Sequence, residues 1–191
     1  MKKILLIGVF VLVAKTYSQT NKKVEPSMIK INLIEPGFEY EKGISKSTTL
    51  KLGVHTSFLV GSQLGTSGFG IFPRIEGQYR YYYNLNKRAN KGKRTNYNSG
   101  NYISGVVFYQ LENSILGNSR NNSVFVAGPL YGLHRTYKNG FNWGFEAGLV
   151  GASNSFGHHF ILEHYEIGSI YPWANFSLGW VIKKKSKTAT H

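Results

Sequence analysis

The chain has no cysteine, and all nine of its acidic residues are glutamates. Without cysteine there is no disulfide, no thiolate metal site and no residue to carry an N-terminal lipid. Without aspartate, aspartic dyads, EF-hand loops and Ser-His-Asp triads are excluded. Charged residues are also scarce, at 17%. No apolar run reaches the roughly 18 residues of a membrane-spanning helix. The one unbroken apolar stretch, Ile4 to Ala14, has eleven residues. It follows Lys2 and Lys3 and precedes Thr16 and Ser18, small residues at −3 and −1 of a cut before Gln19. That layout predicts a cleaved secretory signal over 1–18. A chain so poor in apolar helices can enter a membrane only as a closed β-barrel.

Aromatics and glycine are abundant. Aromatics make up 15% of the 191 residues, with 13 Tyr, 12 Phe and 22 Gly. These types favour strands and membrane interfaces. The length suits one domain with a sizeable core. The formal charge is +14, and setting aside Lys2, Lys3 and Lys15 leaves twenty basic residues against nine acidic. A basic balance can signal nucleic-acid binding. An exported chain does not meet the genome, so basic loops on an envelope protein are the expectation, with no nucleic-acid partner.

The clearest signal lies between Ser47 and Asn84. Thr48, Leu50, Leu52, Val54, Thr56, Phe58 and Val60 alternate with Thr49, Lys51, Gly53, His55, Ser57 and Leu59. After a turn over Gly61 to Gly68, Ile71, Pro73, Ile75, Tyr79, Tyr81 and Tyr83 alternate with Arg74, Glu76, Gln78 and Arg80. Side chains alternate across a strand, so period two means strands with one apolar and one polar face. Charges of both signs opposite rows of aromatics fit an inside-out barrel, with the apolar face to lipid and the polar face to the lumen.

The remaining strands are expected at Ile29 to Glu41, Asn101 to Glu112, Ser123 to His134, Phe141 to Ala152, Gly157 to Gly168 and Pro172 to Ile182. Pro36 suggests an edge or bulge within the first. Lys138-Asn139-Gly140 is a strong turn signal. Alternation is poor in the strands from Asn101 and Ser123. The expected layout is a signal over 1–18, a flexible leader over 19–28, a barrel over 29–182 and a basic polar tail over 183–191. The fold class is all-β: an eight-stranded antiparallel up-and-down transmembrane barrel, a monomer, located in the outer membrane.

With strands and signal placed, the chain resembles the small outer-membrane β-barrel proteins of Bacteroidota-type bacteria, many of them uncharacterised. The stretches carrying the resemblance are Gly37-Phe38-Glu39-Tyr40-Glu41, Pro73 through Tyr82, and Tyr171 through Trp180 with its closing Ser177-Leu178-Gly179-Trp180. It covers essentially the whole chain after the signal. It implies membrane lipid, including lipopolysaccharide, and the outer-membrane assembly machinery as partners. One departure concerns the end: such barrels usually finish on an aromatic, whereas here nine polar residues follow Ile182.

An eight-stranded barrel is just wide enough for its own side chains. Glu39, Lys51, His55, Arg74, Glu76, Arg80 and Glu146 are therefore expected to line the lumen as a paired charge network. Lys87, Arg88, Lys91, Lys93 and Arg94 are expected in a solvated, mobile loop over Leu85 to Gly100, with contact to outer-leaflet lipid phosphates as an addition. Tyr81, Tyr83, Trp143, Trp173 and Trp180 are expected in an aromatic girdle.

Catalysis, metals and cofactors are not expected. His55-Thr56-Ser57 matches the His-x-Ser of one lipid A deacylase family, but no glutamate follows at the expected spacing and position 67 is Ser. The palmitoyl-transferring barrels use an aspartate, absent here. His158 and His159, with Glu163 and His164 nearby, would point to opposite faces of a regular strand. Two alternatives stay open: a lipid A or phospholipid hydrolase or acyltransferase, and a soluble periplasmic barrel binding an apolar ligand, with every face reversed.

Overall fold

The computed structural model describes residues 23–63, 66–117, 123–153 and 170–182. Nine strands follow in order: β1 (Ser27–Asn32), β2 (Gly37–Gly43), β3 (Thr48–Gln63), β4 (Thr66–Tyr81), β5 (Asn101–Gln110), the two-residue β6 (Leu116–Gly117), β7 (Val124–Thr136), β8 (Phe141–Ala152) and β9 (Ile170–Ile182). All pairings are antiparallel. Setting β6 aside, eight strands pair with their neighbours in sequence, and β9 returns to β1 to close an up-and-down barrel. Among the described residues the closing seam runs from Ile29↔Ile182 to Asn32↔Gly179. A further bond runs from the Leu33 amide to the Leu178 carbonyl.

The alternation dictates the faces. Phe38, Val54 and Ile75 point outward and are 63%, 57% and 56% exposed. Glu39, His55, Arg74 and Glu76, one residue away in the same strands, point inward and are buried. The wall is thus apolar outside and polar inside over β1 to β4. The inner face of β5, β7 and β8 differs. Val106, Phe108, Val124, Val126, Leu130 and Val150 form an apolar cluster inside the barrel, with Tyr171 and Trp173 of β9 against it. This explains the poor alternation of β5 and β7: both of their faces carry apolar side chains, one set outside and one in this inner cluster. Burying such side chains contributes about 1.5–3 kcal/mol each.

Several expectations are corrected. The stretch Ile29 to Glu41 is two strands, β1 and β2, paired as a hairpin around Leu33 to Pro36. Proline lacks the amide a strand interior needs. The outward positions also change parity, from Ile29 and Ile31 to Phe38 and Tyr40. The connection expected over Gly61 to Gly68 is mostly strand, because Gly61↔Gly68, Ser62↔Ser67 and Gln63↔Thr66 remain paired. The leader is anchored from its last residues: Val24 and Met28 are buried, and the Val24 amide donates to the Lys46 carbonyl at 3.1 Å. The strand expected over Gly157 to Gly168, the signal over 1–18 and the tail over 183–191 lie outside the described residues. Among those described, β8 pairs directly with β9 from Phe141↔Trp180 to Gly151↔Ile170.

The connection from β4 to β5 is folded rather than solvated. It contains a short helix, α1 (Leu85–Asn90), and a single 3-10 turn at Asn96–Asn98. Tyr82, Leu85, Asn98 and Ser99 are buried, and Leu85 packs with Val24, Tyr82 and Tyr102. Tyr97 and Asn98 both have positive φ, 54° and 55°, a conformation that costs a non-glycine residue energy and persists only where its surroundings fix it. Here they do. The Asn98 amide donates to the Glu41 carboxylate at 2.9 Å, and its carbonyl oxygen accepts from the Glu25 amide at 2.7 Å. The connection caps the end of the barrel where β1 begins and β9 ends.

Candidate functional site

The lumen behind this cap holds the predicted charge network, and all seven residues expected there are inside. Strand period two places Arg74, Glu76, Gln78 and Arg80 in a row down the inner face of β4. Glu39 and Glu41 face them from β2, Lys51 and His55 from β3, Lys30 from β1 and Glu146 from β8. Glu39 accepts from Lys51 at 3.2 Å and from the Asn32 amide at 2.9 Å, with His55 Nε2 at 3.6 Å. Glu76 pairs with Lys51 and, at 3.5 Å, with Arg74. Glu146 accepts from Arg80 at 3.1 Å and from the Tyr102 hydroxyl at 2.6 Å. The Arg80 guanidinium lies 4.5 Å from the centre of the Tyr102 ring.

Glu41 was not among the expected residues, yet it is the hub. Its fully buried carboxylate accepts from Lys30 (2.9 Å), Thr49 (2.8 Å), Tyr82 (2.9 Å), Asn98 (2.9 Å) and Arg80 (3.3 Å). Tyr82 sits just beyond β4, and burial together with the Glu41 carboxylate holds its phenol well above the usual value. It therefore stays a neutral donor. Glu35, at the tip of the β1–β2 hairpin, turns inward to Arg74. Lys30, Tyr102 and His134 are further lumen residues missed from sequence, and Gln78 lies there on the polar face expected for it. Glu41 was legible, since it shares a strand face with Glu39 two residues away. Glu35 shares the polar face of Glu39 in the single strand expected there, and it reaches the lumen from the hairpin connection instead.

Five glutamates thus meet four permanent cations inside. Buried charges are costly unless paired and hydrogen-bonded, and this near-balance satisfies that requirement. Between these groups lies a cavity of about 30 Å³ lined by Lys30, Glu39, His55, Arg74, Asn142 and Glu146 among others. That is room for water and nothing larger. His55 Nδ1 and Asn142 Nδ2 have no protein partner among the described residues, and water in this space would satisfy them. Ser57 of the His-x-Ser match is fully buried and lies 3.4 Å from Arg74 Nη1. It cannot meet a lipid from outside the barrel in this arrangement. Among the described residues no three His or Glu side chains come together as metal ligands. The His158 and His159 reading, with Glu163 and His164, lies outside the described residues.

The basic connection divides into two groups. Lys87, Lys91 and Lys93 are exposed. Arg88 and Arg94 are half-buried and structural: Arg88 donates to the carbonyls of Ser99 and Arg94, and Arg94 to that of Thr136. The expected aromatic girdle also divides. Tyr81, Tyr83 and Trp180 are exposed on the outer face, and Trp143 is half-buried there. Trp173 is a correction. Its position on β9 points inward, and its ring lies 5.2 Å from that of Phe108 in the inner apolar cluster.

Comparison with protein-family models, with curated proteins and with solved structures finds no match to this chain.

Proposed function

We propose that this chain is an outer-membrane β-barrel of the Bacteroidota type, exported through a cleaved signal, with a structural or interaction role at the cell envelope. The observation that carries the reading is the distribution of side chains across the wall. Large apolar side chains, Phe38, Leu52, Val54, Ile75, Ile103 and Leu149 among them, stand exposed around the outside. Five glutamates and four cations are enclosed. In water that arrangement exposes its apolar surface and gains nothing from it. In a bilayer it satisfies both sides, because a closed barrel leaves no backbone group unpaired toward lipid.

The same distribution opposes a soluble barrel with an apolar ligand, whose interior would have to be apolar throughout. The burial of Ser57 opposes a lipid-modifying enzyme built on His55 and Ser57. A lumen filled by a charge network, an apolar cluster and a folded cap supports a wall element rather than an open pore. The outer membrane's assembly machinery and its lipids are then the partners, and the rim where β1 begins and β9 ends lies on the periplasmic side.

The test is electrophoretic mobility of the outer-membrane fraction in SDS, boiled against unboiled. A closed barrel resists SDS and shifts only on heating. A heat-dependent shift in that fraction is the expected result. An unshifted protein found in the soluble periplasm overturns the reading.

A further inference from the structure

Near the capped end, two arginines have no acidic partner among the described residues. Arg135 is the outward residue next to the end of β7. Its guanidinium donates to the carbonyls of Gly100 and His134, both at 2.8 Å, and to the Asn101 side-chain oxygen at 2.7 Å. Arg88, from α1, donates to the carbonyl of Ser99, the residue before Gly100, at 2.9 Å. The two guanidiniums are thus fixed on the carbonyls of consecutive residues, near enough to act on each other electrostatically. Each keeps N–H donors unspent, since a guanidinium carries five.

Among the described residues no glutamate remains to neutralise them. Five are in the lumen. Glu25, at this same end, gives its carboxylate to the Tyr97 amide at 3.1 Å. Glu112 lies past the far end of β5. Beside the arginines on the exposed outer face, the Tyr83 hydroxyl donates at 3.3 Å to that of Tyr131, which also accepts from the Asn101 side-chain amide and keeps its own hydrogen to donate. On the same outward face Leu133 lies between Arg135 and Tyr131, Ile103 stands beside Tyr131, and Trp143 stands opposite Arg135 in register. A positive, donor-rich spot therefore sits against apolar wall. Lys87, Lys91 and Lys93 are exposed on the same cap.

We propose that Arg88 and Arg135, with the Tyr131 hydroxyl, bind the phosphodiester of an anionic glycerophospholipid whose acyl chains lie along Ile103, Leu133 and Trp143. The proposal rests on the membrane reading above. Fixed arginines match a phosphate bidentately, which a flexible lysine does not. The contiguous apolar wall selects an amphiphile over a soluble anion. The site is on the rim where β1 begins and β9 ends, so it faces the periplasmic leaflet, where phospholipid rather than lipopolysaccharide is found. This replaces the outer-leaflet contact expected for the basic loop.

The test folds the full chain into neutral phosphatidylcholine bilayers and confirms folding by the heat-dependent gel shift. Retention of added phosphatidylglycerol is then measured by native mass spectrometry. The unmodified protein is expected to keep phosphatidylglycerol in preference to phosphatidylcholine. The Arg88→Gln/Arg135→Gln variant is expected to lose roughly tenfold of that retention. Because those arginines also hold the cap, Leu133→Glu serves as a second variant. It sets a carboxylate two residues along the same face, leaves both arginines in place and should reduce retention comparably. Lys87→Gln/Lys91→Gln/Lys93→Gln should reduce it less. Equal retention by the folded arginine variant or by Leu133→Glu overturns the proposal, and so does a larger loss from the lysine variant. A chain that never folds into neutral bilayers overturns the membrane reading itself, and this inference with it.

Discussion

Glu41 gathers two cations, two hydroxyls and an amide around one buried carboxylate, so its loss should be felt more than that of any neighbouring acid. Glu41→Gln keeps the shape but removes the charge facing Lys30 and Arg80. Breaking one side of a buried pair costs about 3–5 kcal/mol. The variant should therefore unfold at clearly lower urea in lipid vesicles, read by the heat-dependent gel shift. Wild-type resistance in Glu41→Gln would show that the network does not depend on its hub. Gly132 makes a different kind of demand. A methyl group there would lie 2.2 Å from the Tyr102 ring, which is itself held by Glu146 and Arg80. Gly132→Ala should cost about 1–3 kcal/mol as overpacking, and truncation of Tyr102 in the same chain should recover part of it. If the double variant is no more stable than Gly132→Ala, the clash is not with that ring.

Among the elements, the cap is the one whose sequence misleads. Its five cations and its Asn and Gly residues read as a mobile loop, yet Asn98 and Ser99 are buried and Arg88 and Arg94 are tied to carbonyls. Asn98→Ala removes the bonds to Glu41 and to the Glu25 amide and leaves alanine in a left-handed conformation. Trypsin should then cut at Lys87, Lys91 or Lys93 in the folded variant much faster than in the wild type, while the barrel still shows its gel shift. Equal cleavage rates would mean that the cap is already open without the substitution. Strands β3, β4 and β8 are legible because their two faces differ in chemistry, so the period shows through. Strands β5 and β7 blur because an apolar inner cluster erases that contrast. The β1–β2 hairpin was hidden by treating Ile29 to Glu41 as one run, although the parity change between Ile31 and Phe38 marks the turn. Trp173 was misplaced because tryptophan is expected at interfaces, and only the partner strand reveals which way it points. The charge network of the lumen was readable from strand faces alone. The cap's contacts were not, since they join residues up to 73 positions apart.

Taken whole, the barrel should tolerate charge inside its wall far better than outside it. Ile75→Arg places a cation on the outer face, and such substitutions cost about 2–4 kcal/mol near a bilayer midplane. Its folding yield in lipid vesicles should fall well below that of the wild type, and an unchanged yield would remove Ile75 from the lipid-facing band. The filled lumen also predicts that planar bilayers containing the protein conduct no more current than bare ones. Steady single-channel steps would contradict a closed interior. The seam between β1 and β9 has a further consequence, in time rather than space. Every other wall junction joins strands close in sequence, whereas this clasp unites residues near the two ends of the chain. Bringing such distant segments together costs about 4–5 kcal/mol of chain entropy, which four paired positions among the described residues reward directly. Closure of the ring between β1 and β9 should therefore be the last and slowest pairing to form.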